Sequence, residues 1–182
     1  MKLGSAAFAL GAMLATASTS PGYAASHTSG EEMTASVINS EGEEVGTATF
    51  TETAAGVVLI RAEVSGLEPG EHGFHIHETG ECDPATNFES AGGHYAGEGS
   101  PNHGLVEGGP HAGDMPNVTV GEDGTLIVEV FNPRISLSGD TNPLADADGS
   151  ALMIHSGADD YESQPSGDAG GRVACGVISA AE

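Results

Sequence analysis

The chain has 182 residues, with Asp+Glu 27 against Lys+Arg 4 and a formal net charge of −23. Such a field excludes nucleic acid and anionic membrane as partners, because both require a cationic surface. Disorder is excluded as well: hydrophobic residues make up 38% of the sequence and recur in strand-like runs, so the acid reads as the coat of a folded surface suited to high ionic strength.

Met1-Lys2 supplies a short positive start, and residues 3–17 form an apolar, alanine-rich run too short to span a bilayer. Residues 1–24 therefore read as a signal peptide, with cleavage allowed after Ala17 or after Ala24, and the mature chain is expected in the periplasm or outside the cell. No later segment has the length of a transmembrane helix, so no membrane partner is expected after processing. Lys2 is the only lysine, and its removal leaves arginines as the fixed cations. Residues 25–32, with His27, read as a polar, mobile leader, and residues 33–182 as one domain long enough to bury a core.

Apolar and polar residues alternate over 34–39 and 46–53, which predicts strands. The pattern continues over 57–64, 73–77, 118–120, 125–131, 151–155 and 172–178, with Gly, Pro, Asn and Asp between the runs. No helix of useful length is expected. These runs predict an all-β fold, an eight-stranded antiparallel barrel or sandwich with Greek-key connections, immunoglobulin-like in its layers. Three connections, 78–117, 132–150 and 157–171, are too long to be turns, and long loops in a compact domain carry function. Two cysteines, Cys82 and Cys175, in an exported chain favour one disulfide over two buried thiols. Closing a loop of roughly 90 residues gives about 4.6 kcal/mol in the chain-entropy account.

The chemistry sits in histidines. On the strand 73–77, His75 and His77 are two residues apart and so face one side, while Phe74 and Ile76 face the other. That pair is a two-toothed metal clamp, although two polar residues on a solvent face give the same pattern. His94, His103, His111 and Asp114 then fall within one glycine-rich loop and make a three-nitrogen, one-oxygen set suited to tetrahedral zinc. His155 ends an apolar strand, as either a satisfied core residue or a fourth imidazole beside the first pair.

Four stretches together resemble the copper/zinc superoxide dismutases. They are Gly73-Phe74-His75-Ile76-His77-Glu78, Ser90-Ala91-Gly92-Gly93-His94, His111-Ala112-Gly113-Asp114 and Gly171-Arg172-Val173-Ala174-Cys175-Gly176-Val177-Ile178, in the family's order. The resemblance implies a copper ion on His75, His77, His94 and His155 and a zinc ion on His94, His103, His111 and Asp114, with His94 shared. It implies that Arg172 guides the substrate, superoxide, and that Asp159 is a carboxylate linking ligands of both metals, with Asp160 leaving that position ambiguous by one. It also puts Cys82 and Cys175 where the family's intrasubunit disulfide pins the metal loop to the barrel. His72 is expected to pack and hydrogen-bond at the barrel end rather than ligate. A homodimer is compatible with the family, although no self-complementary patch is identifiable.

Two features depart from the family pattern. Tyr95-Ala96-Gly97 follows His94 where relatives often carry an aromatic residue followed by Asn or Asp and Pro, and the third loop, an electrostatic loop in the family, holds Asp159, Asp160, Glu162 and Asp168 without a lysine. An anionic substrate is therefore expected to be steered weakly or repelled at long range, with a rate that salt does not lower. The expected function is superoxide dismutation by copper cycling between Cu(II) and Cu(I), with zinc structural. The alternative is a non-catalytic extracytoplasmic buffer of copper and zinc.

Overall fold

The computed structural model describes Met1 and residues 31–181. The expected signal peptide, both cleavage positions and the part of the leader that holds His27 lie outside the described residues.

Among the described residues nine strands follow one another: β1 (Glu32–Asn39), β2 (Glu44–Glu52), β3 (Val58–Val64), β4 (Gly70–His72), β5 (Phe74–His77), β6 (Val118–Val120), β7 (Leu126–Asn132), β8 (Ser150–His155) and β9 (Arg172–Ala180). All eight expected strands are present. Among the described residues the helical content is two short 3-10 turns, Pro84–Thr86 and Glu89–Ala91. β4 is additional, because Gly-Glu-His has no apolar alternation; its pairing comes from β6, with Gly70, Glu71 and His72 opposite Val120, Thr119 and Val118.

Seven strands form one curled antiparallel sheet in the order β5-β8-β9-β1-β2-β3-β7, and β4 pairs with β6 in a separate ribbon. Alternation along each strand decides what the curl encloses. Met33, Ala35 and Val37 of β1, Phe50 of β2, Ile60 and Val64 of β3, Leu126 of β7 and Leu152 and Ile154 of β8 share one buried core. Phe74 and Ile76 belong to that same core, so β5 turns its two imidazoles to the opposite face.

A second, smaller buried cluster lies on that opposite face, formed by Phe88, Ala91, Ala151, Met153 and Cys175. Cys82 and Cys175 are joined across a sequence separation of 93, tying the long loop after β5 to β9. His72 sits at the end of the barrel, its ring nitrogens 2.6 Å from the His155 carbonyl oxygen and 2.8 Å from that of Glu68.

Candidate metal centre

His75 and His77 are 0% and 1% exposed, which rules out the solvent-face reading of the pair. They are covered because the loop after β5 returns along that strand's free edge. Tyr95 N donates to Ile76 O at 2.8 Å, Ile76 N to Gly113 O at 2.9 Å, and Glu78 N to Gly93 O at 3.0 Å. Gly113 permits this approach: a Cβ there would collide with the Ile76 carbonyl oxygen. The path after His94 is thereby defined, with Tyr95 and Ala96 bonded to Gly113 and Ala112.

This return stacks the His94 ring on His75, centroids 4.1 Å apart, and brings it within 5.0 Å of both His77 and His103. The register of β8 against β5 and β9 adds His155, whose ring is 4.9 Å from His75. Two groups of donors result, His75, His77, His94, His155 and His94, His103, His111, Asp114; within each, one donor atom per residue lies within 4.8 Å of every other. His94 belongs to both.

Six buried ring nitrogens in this centre have no hydrogen-bond partner: His75 Nδ1, His77 Nε2, His94 Nε2, His103 Nδ1, His111 Nδ1 and His155 Nε2. Each such group costs about 1–3 kcal/mol unless something compensates it, so six converging in one place fit metal coordination. The other nitrogens are held by the protein. His75 Nε2 lies 2.8 Å from Asp159 Oδ2, His103 Nε2 lies 3.0 Å from Asp159 Oδ1, and His77 Nδ1 lies 3.0 Å from Gly92 O. Asp159 thus joins the two groups, while its neighbour Asp160 instead caps the turn at Glu162 and Ser163. Gly167 is obligatory beside that bridge: its φ is +74, and a Cβ would overlap Asp159 Oδ1 and His103 Nε2.

Asp114 divides its two oxygens. Oδ2 accepts from Gly104 N and His111 N, both at 2.9 Å, whereas Oδ1 faces His94 Nδ1 at 2.9 Å, His103 Nδ1 at 3.0 Å and His111 Nδ1 at 3.5 Å. The last two contacts lack hydrogen-bonding orientation, which leaves those nitrogens directed at the space beside Oδ1.

Burial, with repulsion from neighbouring histidines, lowers His75 to about 4, His77 to about 2 and His155 to about 3. Burial alone would raise Asp114, but the His103 imidazole beside it, with the hydrogen bonds from His94 and Gly104 N, holds its carboxyl well below the usual range. At neutral pH the first three rings are neutral and Asp114 is ionised, the forms that bind metal.

Arg172 opens β9 and donates from Nη1 to Phe88 O at 2.5 Å and from Nη2 to Gly92 O at 2.7 Å. It is therefore fixed in the wall of a cavity of about 490 Å³ that His77, His94 and His155 also line. Glu89 shares this cavity, its Oε2 3.7 Å from Arg172 Nη2, and sequence reasoning did not find it. It also missed Asn117, whose side chain bonds the backbone N and O of Asp159, and Asn132 and Arg134, which reach the turn bearing His111 and Asp114. For Arg134 one signal was available, the scarcity of arginine.

Fold and centre together define a class: an antiparallel β-barrel protein that holds two adjoining buried metal-ligand sets with one histidine in common. Residues 44–178 match the family described as "Copper/zinc superoxide dismutase (SODC)". Among its relatives, "Superoxide dismutase [Cu-Zn] 2" of Aquifex aeolicus is 52% identical over 147 residues, covering 79% of this chain and 84% of the relative. "Superoxide dismutase [Cu-Zn]" of Caulobacter vibrioides is 42% identical over 148 residues, covering 80% and 84%. Among solved structures, a double mutant of a SOD-like protein from Bacillus subtilis superposes with a TM-score of 0.74 at 41% identity, covering 79% of this chain and 94% of that one. Cu/Zn superoxide dismutase from Brucella abortus gives a TM-score of 0.65 at 32% identity, covering 81% and 99%. The chain belongs to the copper/zinc superoxide dismutase family, and copper and zinc are its metals.

Proposed function

We propose that the chain disproportionates superoxide, taking two superoxide ions and two protons to one dioxygen and one hydrogen peroxide, with His94 common to both metals. In this reading His75, His77, His94 and His155 hold copper, since four imidazoles suit Cu(II), and His94, His103, His111 and Asp114 hold zinc, which three imidazoles and a carboxylate suit. Bound copper supplies the one-electron couple, and zinc, redox-inert, fixes the shape of the centre.

The protein's share of the work follows from its residues. Arg172, fixed by two backbone carbonyls, presents its remaining donors to a small anion in the cavity. His94 holds a proton at Nε2 during half of the cycle and gives it up in the other half, while Nδ1 remains turned toward Asp114. Asp159 fixes the rings of His75 and His103 and keeps both sets in register.

The observation that carries this reading is the His94 ring, whose Nε2 is an unpartnered buried atom among the first set while Nδ1 lies 2.9 Å from the carboxylate of the second. A buffer of copper and zinc needs neither a shared ring nor a guanidinium fixed in the cavity wall. Superoxide decay measured by pulse radiolysis with metal-loaded protein and its Arg172→Ile variant separates the two. A fall of tenfold or more in the variant is expected, and equal, negligible rates would favour the buffer. The Cys82–Cys175 disulfide supports export to an oxidising compartment, the periplasm or beyond.

A further inference from the structure

We infer that the exit of β7, through Asn132 and Arg134, is a socket that shapes the turn 111–114 for zinc before the ion arrives. The inference rests on zinc occupying the set that contains His111 and Asp114.

That turn carries two of the four donors of its set. Its own closing backbone bond is long, Asp114 N to His111 O at 3.3 Å, and the other bond within it, His111 N to Asp114 Oδ2 at 2.9 Å, leaves its carbonyls to be held from outside. Every carbonyl of the four residues instead meets a donor from the barrel. Asn132 Nδ2 donates to Ala112 O at 2.9 Å, Ile76 N to Gly113 O at 2.9 Å, and Arg134 Nε to His111 O at 3.2 Å; Arg134 Nη2 donates to Asp114 O. The turn is thus gripped between the edge of β5 and the end of β7.

The socket is itself rigid. Asn132 is 1% exposed and pairs with Val58 in the β3–β7 ladder. Its Oδ1 accepts from Arg134 N at 2.9 Å, and Asn142 Nδ2 donates to Arg134 O at 2.8 Å.

Arg134 is an unusual use of a scarce residue. The chain has Asp+Glu 27 against Lys+Arg 4, yet among the described residues Arg134 forms no ion pair with a carboxylate, whereas Arg61 and Arg172 each lie within 4.0 Å of one. Its guanidinium is spent on two backbone carbonyls three residues apart, a span that suits a planar fork and that one ammonium cannot match. Among the described residues the hydrogen bonds of the Arg134 guanidinium go to backbone carbonyls, so it acts through the backbone and is a positioning residue. A turn already in its binding shape gives zinc two donors without the cost of ordering the loop.

The test is the zinc affinity of the metal-depleted full chain, read by competition with a chromophoric chelator, with Zn²⁺ alone as probe. Arg134→Ala is expected to weaken zinc by about ten- to a hundredfold, the range found when groups supporting a ligand are lost. Arg134→Lys should recover part of that loss, and copper affinity should change by less than threefold. Arg61→Ala, remote from the centre, is the control for general destabilisation. If Arg134→Ala does not fold, Arg134→Gln, which keeps one donor and removes the fork, takes its place. Wild-type zinc affinity in the Arg134 variants, or an equal loss in Arg61→Ala, would overturn the inference. Failure of the underlying reading looks different: wild type itself would take up no zinc, or His111→Ala would keep it unchanged.

Discussion

Glu89 stands beside the one guanidinium in the cavity that faces the metal centre, and its replacement by glutamine removes a negative charge from the route of an anionic substrate. Its carboxylate is 3.7 Å from Arg172 Nη2, with a side chain 74% exposed, so water screens it strongly. A superoxide ion held at Arg172 lies about 4–8 Å from that carboxylate, where Coulomb repulsion at the permittivity of water is about 0.5–1 kcal/mol. Removing it should raise the second-order rate about two- to fivefold at low salt. The gain should shrink as the Debye length falls from about 10 Å at 0.1 M to about 3 Å at 1 M. The assay is superoxide decay by pulse radiolysis over a series of ionic strengths, with metal content matched between wild type and Glu89→Gln. For the wild type, with its net charge of −23, the rate should hold or rise as salt is added from low ionic strength. An unchanged rate in the variant, a gain indifferent to salt, or a wild-type rate that falls steeply with salt would refute the reasoning.

Asp159→Asn turns an amide NH₂ toward one of two imidazole N–H groups that now meet carboxylate oxygens at 2.8 and 3.0 Å. Metal affinity, measured by chelator competition, should fall about tenfold or more in at least one site. The metal-free chain should lose stability as pH falls below 6.5, because the unfolded chain takes up protons that folded His75, His77 and His155, held at about 4, 2 and 3, refuse. His103 opposes this: burial works against its charge, but Asp114 and Asp159 raise it, so its contribution is full below 6.5 and lost as pH rises. His111, lowered chiefly by burial, sides with the first three; chemical denaturation with chelator present should give a lower midpoint at pH 5 than at pH 7. Replacing Cys82 and Cys175 together by serine removes a crosslink spanning 93 residues. It should lower the unfolding free energy of the metal-free chain by up to about 4.6 kcal/mol, and an unchanged denaturation midpoint would contradict that.

The strands were legible in the sequence because their alternation comes from burial on one face, as Phe74 and Ile76 against His75 and His77 illustrate. β4 was not, since Gly70, Glu71 and His72 owe their conformation to pairing with β6. The candidate ligands were legible as residue types at motif spacings, but the covering of β5 was not, because it depends on backbone bonds such as Tyr95 N to Ile76 O. The choice between Asp159 and Asp160 likewise turns on which carboxylate faces His75 and His103. Once Asp159 is buried in that bridge, it no longer belongs to the surface charge of the third loop. Arg134 and Asn132 left little trace because they bind carbonyls, which every residue possesses.

The shared ring is tested most directly by loading the metal-depleted chain with copper and zinc, removing loose ions, and measuring metal content beside turnover, in wild type and in His94→Ala. One copper and one zinc per wild-type chain are expected, with looser retention of both ions and loss of turnover in the variant. A wild-type chain that keeps a single ion, or a variant that keeps both ions and full turnover, would contradict a centre built around His94.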